Sequence, residues 1–380
     1  MGPLSGVKIV ELAGIGPGPF AGMLLSDMGA DIVRIDRAGQ VNPAAFERQN
    51  LEPLYRGRRS IGVDLKHPEG VDLVLRLVES ADALTEGFRP GVTERLGIGP
   101  DVCVARNPKL VYARMTGWGQ EGPMAQAAGH DINYIALAGA LAHFGRAGGK
   151  PTPPINIVGD FGGGGMFMAF GVVCGILEAR QSGQGQVLDV AMVDGSAVLM
   201  SMMWGLMHLG AWSEELGVNV LDTGAPFYDT YETKDGKFIS LGSLEPQFYA
   251  ELLARLGLAD VGLAPQMDRT GYEELRTRFT ELFKTKTRDE WNAVLRGSDA
   301  CYAPVLTMRE AAQDEHLQAR GTIIERNGVQ QPAPAPRFSR TRPEIRHDAP
   351  WPGQHTDEAL HDWGLTDAEV DKLRESGAIV

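Results

Sequence analysis

Short apolar runs alternate with amphipathic or glycine-ended stretches along the first 120 residues. VKIVEL (7–12), DIVRI (31–35), SIGVDL (60–65), DALT (82–85) and LVYARM (110–115) have the length and density of buried strands. Between them, 20–28 is closed by Gly29 and 68–80 carries an amphipathic pattern, so both read as helices. This alternation predicts an α/β domain built on a parallel sheet, with the first βαβ unit complete by residue 35.

The pattern then changes. An apolar run at 166–177 predicts a helix reaching about 181 and stopped by Gly183; 186–193 (QVLDVAMV) reads as a strand and 194–211 as a Met-rich helix. Methionines at 200, 202, 203 and 207 serve as core filler in most proteins, and they also suit an adaptable apolar surface. YDTYETKDGKFISLGS (228–243) reads as a hairpin turning at Lys234–Lys237. Helices follow from Glu245, over 272–284, 287–295 and 308–319. PAPAPRFSRTRP (332–343) has the extended character of a linker, and a last helix spans 366–376 with Thr366 as its cap. The expected division is a large α/β domain at 1–222, a small α+β domain at 223–331, and a linker and C-terminal segment at 332–380 returning to the large domain.

Charge narrows the function. The net charge of −13 over 380 residues argues against nucleic-acid binding, so an anionic ligand would need local arginines. Cys103, Cys174 and Cys301 have no metal-ligand spacing and read as reduced thiols; no metal site is expected. The sequence opens on a strand pattern without a basic-then-apolar leader, from which a cytoplasmic location is expected. The uncharged stretch 161–177 is at the short limit for crossing a membrane and is bracketed by Asp160 and Glu178. It is expected to be a buried core helix, without membrane insertion.

Candidate chemistry concentrates in 129–165, with His130 and Asp131 at one end and Asp160, followed by Phe161 and four glycines, at the other. Asp160 reads either as a helix cap or as a reacting carboxylate beside backbone N–H donors that would hold an oxyanion. His130 reads either as an ordinary buried histidine or as a base. One histidine, two or three carboxylates and a set of arginines suit proton abstraction beside a carbonyl, or acyl transfer through a carboxylate nucleophile. Arg37 after the second strand, Arg56, Arg58 and Arg59 before the third, and Arg89 and Arg95 after the fourth offer a local anion site; a solvated basic face is the alternative. A nicotinamide-dependent oxidoreductase is a weaker reading. Gly14 and Gly16 follow the first strand and Asp36 ends the second, but Pro19 stands where GxGxxG needs glycine. Glu245, before Pro246, is by itself an ordinary acid at a helix start.

The motifs EGFRPGVTERLG, YARMTGWGQEGP, GHDINY, VGDFGGGG and APRFSR, with the opening LSGVKIVELAGIGPGPFAGMLLSDMGADIVRIDR, resemble the family III CoA-transferase superfamily. Within it they resemble the racemases of α-methylacyl-CoA thioesters, and the likeness covers nearly the whole chain. It implies a large modified-Rossmann domain, a smaller α+β domain and an interlocked homodimer, in which the large domain of one subunit and the small domain of the other form the cleft. It implies interconversion of (2R)- and (2S)-2-methylacyl-CoA by 1,1-proton transfer through an enolate, with His130 and Asp160 as the two bases and Glu245 orienting the histidine. CoA would meet Arg37 at its adenosine phosphate, with Val63, Asp64, Leu65, Lys66, Gly87, Phe88, Arg89 and Arg95 along its length. Gly129, His130, Asp131, Ile132, Asn133 and Tyr134 would line the remainder. No cofactor is implied beyond the CoA the substrate carries. The superfamily's transferases use the aspartate as a nucleophile and typically lack the histidine of GHDINY, so Asp160 as a transferase nucleophile is the alternative.

Overall fold

The computed structural model describes residues 2–42, 44 and 51–380. The chain divides into two compact units: the chain up to Ala138, Pro154–Ser201 and Arg326–Val380 form the first, and Gly139–Pro153 with Met202–Glu325 form the second. The first unit thus ends its central part at Ser201, where the sequence pattern set a boundary at 222.

The first unit is a six-stranded sheet of Lys8–Leu12 (β1), Asp31–Arg37 (β2), Arg59–Val63 (β3), Ala83–Glu86 (β4), Val111–Thr116 (β5) and Gln186–Ala191 (β6). Its order is β3-β2-β1-β4-β5-β6, and every pairing is parallel. Strand alternation sends side chains into two cores. Val10, Leu12, Val33, Ile35 and Ile61 pack on one face, and Ile9, Ile32, Ala83, Val111 and Ala113 on the other.

The first-unit helices are Pro17–Asp27 (α1), Pro68–Glu79 (α2), Val92–Arg95 (α3), Pro100–Arg106 (α4), Asp131–Leu137 (α5), Phe167–Ser182 (α6) and Met192–Leu199 (α7). Helix α1 begins at Pro17, earlier than the apolar pattern alone places it, because Pro17 and Pro19 occupy first-turn positions where an N–H is unpaired anyway.

The segment around Asp160 departs from expectation. Ile157–Met166 is a π-helical run leading directly into α6, and its glycines serve packing. A Cβ on Gly195 of α7 would stand 1.9 Å from the Gly163 carbonyl oxygen, so two backbones meet where only glycine fits. Helix α6 buries only one face: Met168, Val172 and Ile176 turn inward, whereas Phe170 is 69% and Leu177 59% exposed. The fully buried core helix expected here is therefore a half-covered one. Together with the π-helical run it forms Ile157–Ser182, 26 residues and long and apolar enough by composition to cross a membrane, but the inner face of α6 packs in the same core as β5.

The expected 194–211 helix is broken at Met200, giving α7 in the first unit and Ser201–His208 (α8), at the point where the chain passes from the first unit to the second. The hairpin Thr230–Glu232 (β7) and Phe238–Leu241 (β8) gains a third antiparallel strand, Tyr302–Pro304 (β9), too short to register as an apolar run. Pro246–Leu256 (α9), Tyr272–Phe283 (α10) and Arg288–Leu295 (α11) enclose an aromatic core of Phe227, Tyr231, Phe279, Phe283 and Trp291. The expected 308–319 helix is two, Met308–Ala311 (α12) and Glu315–Arg320 (α13), because Asp314 caps the second.

The chain from Arg326 belongs to the first unit and carries Thr356–Asp362 (α14) and Asp367–Glu375 (α15). It covers the open edge of β3: His355 N–H donates to the Ser60 carbonyl at 2.8 Å, and Val380 N–H to that of Gly62 at 3.0 Å.

Candidate active site

The C-terminal ends of β2, β1, β4 and β5 open into a cavity of about 950 Å³ in the first unit. It lies across the β1–β4 junction where the strand order reverses, the usual ligand position in an open α/β sheet. The loop Gly14–Pro19, Arg37, Leu65, Glu86–Arg89, Met115–Trp118, Gly129, His130, Tyr134, Asp160, Met168 and Met192 are among its walls.

At one end stand His130 and Asp160. His130 is exposed and occupies the N-cap position of α5, where its backbone N–H donates to Asn133 Oδ1 at 3.0 Å. Asp160 is half-buried, in the first turn of the π-helical run. Its backbone N–H donates to Asp131 Oδ1 at 2.7 Å, and its carboxylate accepts from Asn156 Nδ2 at 3.1 Å. Asp131, 5% exposed, thereby ties the start of α5 to the turn bearing Asp160. Gly16, at φ 66°, lets the first loop come close: a Cβ there would stand 3.5 Å from Asp160 Oδ2.

Burial raises the Asp160 pKa above the usual carboxylate value; the Asn156 hydrogen bond opposes this, Asp131 adds to it, and nearby His130 pulls it down. The Tyr134 phenol is pushed up by burial and by the charges of Asp160 and Asp131. Its hydroxyl donates to the Gly129 carbonyl, and its ring meets Trp118 edge-on at 4.8 Å. Along the run expected to supply oxyanion donors, Gly163, Gly164 and Gly165 are buried against α7 and α1, and the Asp160 N–H is held by Asp131.

Of the residues expected to line a CoA site, Arg37, Leu65, Gly87, Phe88, Arg89, Gly129, His130 and Tyr134 border the cavity. Val63 is fully buried in a sheet core, while Asp64 and Lys66 form the turn after it, the Asp64 carboxylate accepting from Lys66 N–H at 2.9 Å. Asp131 stands behind the wall, Ile132 and Asn133 are exposed on α5, and Arg95 ends α3. Glu245 caps the start of α9 in the second unit.

Two expectations are corrected. Arg56, Arg58 and Arg59 do not form an anion site, because all three turn inward to carboxylates: Arg56 to Asp27 at 2.6 Å, Arg58 to Glu11 at 3.5 Å, and Arg59 to Asp31 at 2.9 Å and Asp362 at 2.5 Å. Asp36, the residue a dinucleotide's ribose would need, is 1% exposed and accepts from Arg34 at 2.7 Å and Ser60 at 2.6 Å, which removes the basis of the nicotinamide reading.

Asn156 escaped the sequence reading; its signal is an amide four residues before the aspartate in NIVGD. Glu86 and Arg114 escaped as well; their signal is a charge directly after the run DALT and one inside the run LVYARM. Among the described residues no cluster of metal-ligating side chains occurs.

The fold and cavity define a doubly wound α/β protein with a strand-end site, walled by arginines at one end and holding a histidine–aspartate pair at the other. The chain belongs to CoA-transferase family III, whose profile matches residues 4–356. It is 45% identical over 373 residues to the α-methylacyl-CoA racemase of Mus musculus, covering 97% of this chain and 96% of that protein. With the Homo sapiens α-methylacyl-CoA racemase it shares 42% identity over 385 residues, covering 99% and 98% respectively. A CAIB/BAIF family protein from Brucella suis superposes with a TM-score of 0.81 over 95% of this chain and 99% of that one; at 24% identity this likeness concerns the fold alone.

Proposed function

We propose that this protein racemises 2-methylacyl-CoA thioesters, interconverting their (2R) and (2S) epimers by 1,1-proton transfer through an enolate. The observation that carries the reading is that His130 and Asp160 border one cavity from two segments held in register by Asp131. The full-length similarity to proteins named α-methylacyl-CoA racemase supports the substrate class. In this reading one of the pair removes the α-proton and the other returns a proton to the opposite face. The raised pKa of Asp160 suits that exchange, since it brings a carboxyl closer to the range in which it both gives and takes a proton at neutral pH. Arg37 and Arg89 would hold the phosphates of CoA. Glu245 would orient His130, a role resting on the resemblance alone.

The working form is proposed to be a homodimer. Phe170, Leu177, Val187, Val198 and Leu199 are each 47–69% exposed, more large apolar surface than a lone unit usually shows water.

The decisive experiment incubates one pure epimer of a 2-methylacyl-CoA with the protein in D2O. The expected result is α-deuterium uptake together with appearance of the second epimer, without added metal, nicotinamide or acceptor acid. Movement of CoA onto a second carboxylic acid, with no epimerisation in its absence, would replace this reading with that of a transferase using Asp160 as nucleophile.

A further inference from the structure

Strands β4 and β5 each carry a charge that the sheet buries. Arg114 is 7% exposed and Glu86 2%. Arg114 Nε donates to Glu86 Oε1 at 2.9 Å, its Nη1 meets Glu94 Oε1 at 2.8 Å, and its Nη2 reaches Glu94 Oε2 at 3.2 Å and Thr93 Oγ1 at 3.4 Å. The other Glu86 oxygen accepts the Phe88 backbone N–H at 2.6 Å. One guanidinium therefore holds both the loop after β4 and helix α3. Outside, Gln126 Nε2 donates to the Pro90 carbonyl at 3.2 Å, so the loop is tied on that side too.

The two tethered segments carry arginines. Arg89 is on the loop and borders the cavity. Arg95 ends α3, and its side chain folds back over the loop: its Nη1 is 3.2 Å from where a Cβ on Gly91 would stand. Arg114 takes both nearby carboxylates, Glu86 and Glu94, as its own partners, which leaves the charge of Arg89 for a ligand at the cavity wall.

We infer that Arg114, acting through Glu86 and Glu94, is a positioning residue that fixes the loop carrying Arg89 against helix α3, so that Arg89 meets the phosphates of the acyl-CoA. This rests on the CoA reading of the cavity. A buried ion pair adds little net stability over an apolar pair of similar shape, but it fixes geometry, because each hydrogen bond has one correct arrangement. The fork of an arginine serves this better than a lysine, which is a single point charge on a flexible stem.

The test compares Arg114→Lys and Glu94→Gln with the unaltered protein, using a 2-methylacyl-CoA and the corresponding 2-methylacyl-pantetheine, which lacks the nucleotide and its phosphates. Glu94 has a side chain 45% exposed, so Glu94→Gln keeps the fold testable if Arg114→Lys does not accumulate. For the CoA thioester, KM should rise roughly tenfold in Arg114→Lys and about threefold in Glu94→Gln, the scale of a weakened charge-assisted contact. The value of kcat, and both constants for the pantetheine thioester, should stay unchanged. Equal losses with both thioesters, or an unchanged KM for CoA, would overturn the inference. Arg89→Ala separates the two levels of argument. If it raises KM for the CoA thioester while the Arg114 and Glu94 variants do not, the positioning role fails alone. If it has no effect either, the phosphate reading of this wall fails with it.

Discussion

The two ends of the cavity treat buried charge in opposite ways. Toward β2 and β4, Asp36 and Glu86 are almost fully enclosed and each has its oxygens taken, by Arg34 and Ser60 in one case and by Arg114 and the Phe88 N–H in the other. At the far end, the Asp160 carboxylate is half-buried with Asn156 as its side-chain donor and a second carboxylate, Asp131, close by. Asp131 itself has one buried oxygen without a hydrogen-bond partner. Burial pushes the carboxyl pKa up at both Glu86 and Asp160; what differs is the support, since Glu86 has a guanidinium and a backbone N–H on its two oxygens and Asp160 has a neutral amide. On the proposed reading, the difference would separate a region that positions ligand from one that exchanges protons.

Breaking the reacting end should give the largest effect. Alanine at His130 or at Asp160 should slow racemisation roughly a hundred- to ten-thousandfold, the usual loss for a general acid or base. Racemisation fails in both directions, since the return proton comes from the missing partner, but residual α-deuterium exchange should survive from one epimer only. The surviving epimer should be opposite in the two variants, measured by mass spectrometry of each epimer in D2O. Equal residual exchange from both epimers in each variant would mean that one group serves both faces.

Breaking the holding end should cost stability. Asp36→Ala leaves the Arg34 guanidinium, 8% exposed, without its carboxylate. Stranding one member of a buried pair costs roughly 3–5 kcal/mol, visible as a lower urea midpoint. A change within about 0.5 kcal/mol, the range of ordinary surface substitutions, would show that Arg34 finds other support, such as the Tyr55 ring 4.4 Å away. A smaller effect is expected at Arg37, which is exposed at the end of β2. Arg37→Ala should weaken a CoA thioester about tenfold more than its dephospho-CoA analogue, the scale of one phosphate contact. Equal weakening of the two would remove Arg37 from the ribose phosphate.

The same contrast explains what the sequence disclosed. Strands β1 to β5 were legible because both faces of a parallel strand are buried, leaving dense apolar runs, and the glycine and proline signals located the loops between them. Strand β9 was not, because three residues carry no periodicity, and the break at Met200 was not, because the apolar pattern continues across it. His130 and Asp160 were visible as motif residues, and the cavity brings them together as spacing alone could not. The arginines were hardest. Nothing in RGRRS distinguishes a surface cluster from side chains folded onto Asp27, Glu11 and Asp31, since those partners lie on α1, β1 and β2, elsewhere in the chain. The packing use of GGGG was equally hidden: glycine permits close backbone approach as readily as it frees an N–H, and α7 uses the approach at Gly163.

The smallest expected effect tests the contrast at its root. If Asp160 is held in a setting unfavourable to its charge, removing the charge should stabilise the fold while abolishing proton transfer. Its folded pKa lies above the ordinary value of 3.8, so below that value both folded and unfolded chains are protonated and Asp160→Asn changes little. As pH rises past the ordinary carboxylate range, the unfolded chain releases the proton first and the folded protein loses stability relative to it. The loss is complete once pH exceeds the folded pKa, and the asparagine variant does not suffer it. Asp160→Asn should therefore unfold at a higher urea concentration than the unaltered protein at pH 7, with the gap closing as pH falls below about 4. Because the group is half-exposed and screened by solvent, the gain should stay below about 1 kcal/mol. A variant less stable at pH 7, or a gain that is the same at every pH, would mean that Asp160 is as well supported as Asp36 and that the two ends of the cavity do not differ in this way.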